Sequence, residues 1–309
     1  MLVVNALRPD TSALFRGLAS DQCDVVTREQ ILALGISRSS IAAEIDAQRW
    51  RRLNEVVIVL HNGPLTVEQR EWAVILSAPD PSALCTLTAL RRAGLVGFDT
   101  ETVHVLLERG AKLLPLPGLA VHVHESRRFG AGDVRVIAQP RRVSHERAAI
   151  DAAAWSRSAH QAARILVAVV QQRLTNPQLL SRELDVVGRV RHCRMMRLLL
   201  IDLSGGAQAL SEVEFLRFCR RHGLPKPTMN HRVDSAGRRR YLDALFTLAD
   251  GTTVSVEIDG GVHLNLMQRW LDTSRDNDLY LEGRSGLRFP SVAIYTDDRI
   301  AVRQLRQAL

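Results

Sequence analysis

The chain has 309 residues, room for two or three domains of the usual ~100–150 residues. A hydrophobic content of 46% excludes a largely disordered chain, and the longest apolar run, Ile165–Val170, falls far short of the ~18 residues needed to span a bilayer. The net charge of +8 points to an anionic partner, nucleic acid first among them.

Cys23, Cys85, Cys193 and Cys219 have neither CxxC nor Cys–His finger spacing, which fits free thiols in a reducing compartment. The opening Met1–Phe15 lacks a basic n-region followed by an apolar h-region. The expectation is a cytoplasmic protein with no membrane partner.

Thr27-Arg-Glu-Gln30 has the spacing of a capping box and opens a helix that Gly35 ends. A second helix is expected over Ser37–Trp50, with Ile41 and Ile45 turned inward, followed by a strand over Val56–Leu60 and a turn at His61-Asn-Gly63. Helix, tight turn, helix and strand hairpin is the order of a winged helix-turn-helix. Arg38, Ser39 and Ser40 then stand where base contacts belong, and Arg49, Arg51 and Arg52 where the chain meets phosphates.

Residues 67–145 read as mixed α/β. Helices are expected over Val67–Ala78 and from about Ser82 to Gly94, and strands over Thr102–Glu108 and Leu119–His124. His122 and His124 share one strand face, but with no third ligand nearby they read as surface residues. Residues 146–206 form an arginine-rich helical connector.

From 207 to 309 the order is αβββαβ. Ser211-x-x-Glu214 opens a helix, and strands follow over His231–Val233, Arg240–Leu248 and Thr252–Asp259. A helix over Leu266–Glu282, a strand over Ser291–Thr296 and a closing helix complete it. A three-residue loop at Ala249-Asp250-Gly251, with Gly251 left-handed, sets Asp243 opposite Glu257 and Asp259 opposite Tyr241. A two-residue loop would shift the register by one and turn Asp243 and Glu257 to opposite faces. Carboxylates brought together in this way repel unless a cation separates them, and Mg²⁺ or Mn²⁺ prefers such oxygen ligands.

The pattern Ser211-x-x-Glu214, Asp243, Glu257-Ile-Asp259-Gly260, His263 and Asp272-x-x-Arg275-Asp276-x-x-Leu279 resembles the DUF559 branch of the PD-(D/E)xK nucleases, related to very-short-patch mismatch endonucleases. The resemblance covers roughly 207–309 and implies a restriction-endonuclease-like fold hydrolysing DNA with Mg²⁺ or Mn²⁺. Under it Asp243, Glu257 and Asp259 form the metal set, His263 is the acid or base, and Glu214 supports the site. Asp272 and Asp276 belong to the supporting helix, and Arg275 orients carboxylates or holds a phosphate. Asp259 stands where a classical member carries the catalytic lysine and the mismatch-repair branch a histidine. Residues 1–145 resemble, more loosely, the N-terminal region of AbiEi-type antitoxins. That resemblance implies an alternative, a non-catalytic autorepressor of a toxin–antitoxin pair, so the expected partners are DNA and a cognate toxin or repair protein.

Overall fold

The structure is a computed structural model. It describes residues 9–135, 139–204, 207–235, 238–259, 277, 286–296 and 298–309, with backbone alone at 9, 207–212, 231–235, 238–242 and 259. The class is mixed α/β. The chain divides into two compact units, Met1–Ala148 and Ala149–Leu309, and the described residues form three small sheets.

In the first unit α1 (Pro9–Asp21) precedes β1 (Val25–Thr27), α2 (Arg28–Ala33), α3 (Arg38–Asp46), β2 (Arg51–Arg52) and β3 (Val57–Val59). The capping box forms as expected: Thr27 Oγ1 accepts from Gln30 N–H at 3.1 Å, and Gln30 Oε1 accepts from Thr27 N–H at 2.7 Å. Gly35, at φ +81°, turns the chain into α3, whose N-cap is Ser37. The second helix stops at Asp46 rather than Trp50. There Gln48 takes φ +53°, the N–H groups of Arg49 and Trp50 both donate to the Glu44 carbonyl, and Trp50 folds inward to stack on Phe15 with ring centroids 5.9 Å apart.

These strands form an antiparallel sheet in the order β1-β3-β2. Strand alternation gives it two apolar faces. Val26 and Ile58 pack with Phe15, Ile31, Ile41 and Trp50, while Val25, Val57 and Val59 join a second core with Trp72, Leu84 and Val105. That second core extends into α4 (Val67–Ser77), β4 (Ser82–Leu84), β5 (Val103–Glu108) and β6 (Val121–Ser126), with α5 (Thr86–Arg92) between β4 and β5 in the chain.

The expected helix from Ser82 is a correction. Ser82–Leu84 is a strand antiparallel to β5, and the helix begins only at Thr86. All three residues of β4 are buried, and a short run buried on every side has no periodicity to tell strand from helix.

The histidines are a second correction, since a third ring joins them. β5 and β6 pair in parallel with His104 beside His122. The rings of His104, His122 and His124 stack with centroids 4.3–5.5 Å apart, and His104 Nδ1 and His124 Nε2 share a hydrogen bond of 2.9 Å. The third ring comes from another strand, so one strand's spacing could not show it. Burial, and then the neighbouring imidazole of His122, pushes His104 down to about 4; the same causes with His104 added push His124 down to about 3.

Helix α6 (His145–Ala154) runs across the boundary between the units, and α7 (Ala159–Gln171), α8 (Pro177–Val187) and α9 (Cys193–Leu203) of the second unit lead to α10 (Ala207–Arg221). Ser211 lies inside α10 rather than capping it, because the helix-forming run Ala207-Gln-Ala-Leu210 extends it toward the N-terminus. β7 (Thr228–Ser235), β8 (Arg238–Thr247), β9 (Thr253–Asp259) and β10 (Leu287–Pro290) form a sheet in the order β10-β9-β8-β7. β10 runs parallel to β9, and the other pairs are antiparallel.

The expected strand over Ser291–Thr296 is a third correction: Ser291–Tyr295 is helix α11, followed by α12 (Arg299–Ala308). Every residue of α11 is buried, so here too periodicity carries no signal. The sheet's core face presents Ala244, Phe246, Val254, Val256, Ile258 and Phe289, with Phe215 edge-on to Phe246. The expected helix over Leu266–Glu282 lies outside the described residues except at Asn277, which is helical.

The histidine cluster has a measurable consequence. Both folded-state values lie below the ordinary 6.5, so the unfolded chain binds these protons first, and stability is full above pH 6.5 and lost as pH falls from there toward about 3. The urea midpoint of the wild-type chain should therefore drop across that window, and His104→Gln/His124→Gln should flatten the drop; an equally steep fall in the double variant would count against it.

Candidate functional site

The loop between β8 and β9 decides the geometry of the second unit's sheet. Leu248 N–H donates to Thr252 O at 2.8 Å, Gly251 N–H donates to Leu248 O at 3.0 Å, and Gly251 takes φ +82°. This is the three-residue loop read from the sequence. The paired register runs from Thr247–Thr253 to Ala244–Val256, so the next position along sets Asp243 across from Glu257.

At Asp243 the pairing gives way on both sides. The alternation set by Leu248 and Thr252 would send the Ile258 N–H to the Leu242 carbonyl, but it donates instead to Asp243 Oδ2 at 2.7 Å. On the other edge the β7–β8 register passes from Met229–Ala244 to His231–Leu242, leaving out Asn230 and Asp243. Asn230 is exposed and takes φ +51°, a left-handed conformation that asparagine tolerates better than most residues. Backbone irregularity of this kind concentrates at functional positions.

Glu257 points to the same face as Asp243, away from the phenylalanine core, since Val256 and Ile258 on either side of it are buried. In β10 Arg288 lies beside Glu257 in parallel register, and its guanidinium donates twice to Glu257 Oε2, from Nε at 2.9 Å and from Nη2. Asp243, Glu257 and Arg288 therefore make a row across three adjacent strands. Gly286 leads into β10 at φ +97°, a left-handed conformation that favours glycine, and a Cβ there would also crowd Ser255 Oγ at 2.9 Å.

The backbone of Arg288 is held on its other edge by Asn277. Asn277 Nδ2 donates to Arg288 O at 2.8 Å, and Asn277 Oδ1 accepts from Arg288 N–H at 2.8 Å. Asn277 is itself buried and also donates to Gln304 Oε1 at 3.2 Å.

The register sets Asp243 and Glu257 level on adjacent strands, one step past the Ala244–Val256 pair. Glu214 is buried in α10 and its carboxylate is taken up by two arginines, Arg194 and Arg217, the latter at 2.6 Å. Asp259 ends β9 opposite Pro290 by its backbone. His263, Asp272, Arg275 and Asp276 lie outside the described residues. Among the described residues no group of three His, Cys, Asp or Glu side chains is arranged to hold a metal ion. Asn230, Asn277 and Arg288 were missed by sequence reasoning. The strand expected from the sequence begins only at His231, so Asn230 stands outside it, and the other two give no local signal.

In the first unit Arg38 and Ser39 are exposed at the start of α3, and the Ser37 hydroxyl lies 2.8 Å from those of Ser39 and Ser40. Arg52 is exposed on β2 and Arg51 is half-buried. Arg49 is tied to Glu44, its Nε 2.5 Å from a carboxylate that is 0% exposed. That pair anchors Arg49 to a buried acid, while its own side chain stays 40% exposed.

No protein-family model matches the chain, and no curated protein matches it.

The left-handed backbone at Asn230 makes a direct test of the broken ladder. Asn230→Gly should leave stability unchanged or slightly raised, whereas Asn230→Val should cost about 1–2 kcal/mol in urea unfolding. Equal stability of the two variants would mean that the backbone is not held in this conformation.

Proposed function

We propose that this chain is a DNA-binding protein whose second unit carries a metal-dependent phosphodiesterase site in a restriction-endonuclease-like sheet. The observation that carries the reading is the row of Asp243, Glu257 and Arg288 on an open face, at the point where the pairing of β8 is interrupted on both edges. Two carboxylates facing each other across a non-hydrogen-bonded pair are costly without a cation, and oxygen donors of this kind suit a hard divalent ion. Asp243 and Glu257 would hold Mg²⁺ or Mn²⁺, which supplies a Lewis acid and a water of lowered pKa. The residues' own part is to fix that position. Asp243 is anchored through the Ile258 N–H, and Glu257 is presented at a partly exposed place beside a guanidinium. Arginine in turn matches the paired oxygens of a phosphate.

In this reading the first unit is a winged helix-turn-helix: α2, the Gly35 turn and α3 form the helical pair, and β2 with β3 forms the wing. Arg38, Ser39 and Ser40 would face base edges, and Arg51 and Arg52 the phosphates.

The second reading is a DNA-binding regulator without catalysis, such as an antitoxin-like autorepressor. The ion pair that occupies Glu257 favours it.

Plasmid nicking separates the two readings. With Mg²⁺ or Mn²⁺ the wild-type protein should nick DNA, and Asp243→Ala and Glu257→Ala should each lose at least ~100-fold, more than the loss of a supporting contact brings. Trace activity equal in all three proteins would leave the regulator. DNA binding is tested separately: Arg38→Ala and Arg52→Ala should each weaken affinity, and removing a phosphate contact should reduce the salt slope by about 1. Unchanged retention on DNA in both would remove the winged-helix assignment.

A further inference from the structure

The row across β8, β9 and β10 contains its own positive charge. Glu257 receives two donors from Arg288, and Asp243 stands level with it, one register step past the Ala244–Val256 pair. The pair is about half exposed, with side-chain exposures of 55% for Arg288 and 45% for Glu257. Exposed pairs of this kind hold weakly enough to exchange partners. The strand beneath is fixed, by its ladder to β9 on one edge and by the Asn277 amide on the other. The side chain can therefore change partners while the backbone stays in place. The chain's choice of cation agrees: of 41 basic residues only Lys112 and Lys226 are lysines, and Asp259 stands where the nuclease pattern carries one.

We propose that Arg288 is the resident cation of this site, neutralising Glu257 until a divalent ion takes that carboxylate, and then turning its guanidinium to the phosphate oxygens of bound DNA. The proposal rests on the metal-dependent reading of the second unit, and it adds that metal and arginine compete for Glu257. Asn277 is the positioning residue, since it clamps the backbone from which Arg288 swings.

The full-length chain can be titrated with Mn²⁺ alone, reading free Mn²⁺ by electron paramagnetic resonance. Arg288→Gln should bind Mn²⁺ roughly 10-fold more tightly than wild type, the order expected when one like charge leaves the edge of an exposed site. Arg288→Lys keeps the charge and should stay near wild type, while Glu257→Gln should lose binding. With Ca²⁺ in place of Mn²⁺, Arg288→Gln should bind a short DNA duplex several-fold more weakly than wild type. Equal Mn²⁺ affinity in wild type and Arg288→Gln, or equal tightening in Arg288→Lys, overturns the competition while leaving the metal site standing. Binding by Arg288→Gln alone supports it. No Mn²⁺ binding by either wild type or Arg288→Gln overturns the metal reading, and the competition with it.

Discussion

Leu248 and Thr252 close a loop of three residues, and Gly251 can take the left-handed conformation it requires because it has no Cβ. Asp250 reinforces the turn by accepting the Thr252 N–H at 2.8 Å, a bond that holds its carboxyl below the usual range. From that closure the register of β8 against β9 follows, and with it the face on which every acid lies. One residue fewer in the loop would turn Glu257 away from Asp243. One face of the same sheet buries Phe246, Val256 and Phe289, so a slip would also expose the core. The hydrophobic contrast between the two faces and the loop therefore enforce the same register.

A second device recurs through the molecule: a glutamate met by arginine. Glu44 is paired with Arg49, Glu71 with Arg91 and Arg92, Glu214 with Arg194 and Arg217, and Glu257 with Arg288. The first three acids are buried, where an unpaired charge would be heavily penalised, so their arginines are bound to the fold. Glu257 differs because both partners remain half exposed. The same chemistry is thus a fixed part of the structure in three places and an exchangeable contact in the fourth. Burial makes the difference, since water can replace either partner only where it can reach it.

Much of the architecture was legible in the residues. Thr27 and Gln30, Ser37 and Gly35 act through neighbours three or four positions away, so their signals are complete in a short window. The elements misread were those buried on every side, Ser82–Leu84 and Ser291–Tyr295, and the helix start at Ser211, where a plausible cap lay inside a longer helix. Uniform burial removes the periodicity by which strand and helix are told apart.

The sequence by itself determined the register of the central hairpin, because loop length, glycine and alternation are all local, and so it set Asp243 level with Glu257. Only the tertiary structure decided what surrounds that pair. Arg288 reaches Glu257 from a parallel strand, and Asn277 grips the Arg288 backbone from a segment that no turn or spacing ties to it. His104 joins His122 and His124 in the same way, across a parallel pair. Parallel neighbours are joined by long connections, so their register depends on how whole layers pack, and no stretch of residues read alone contains that information.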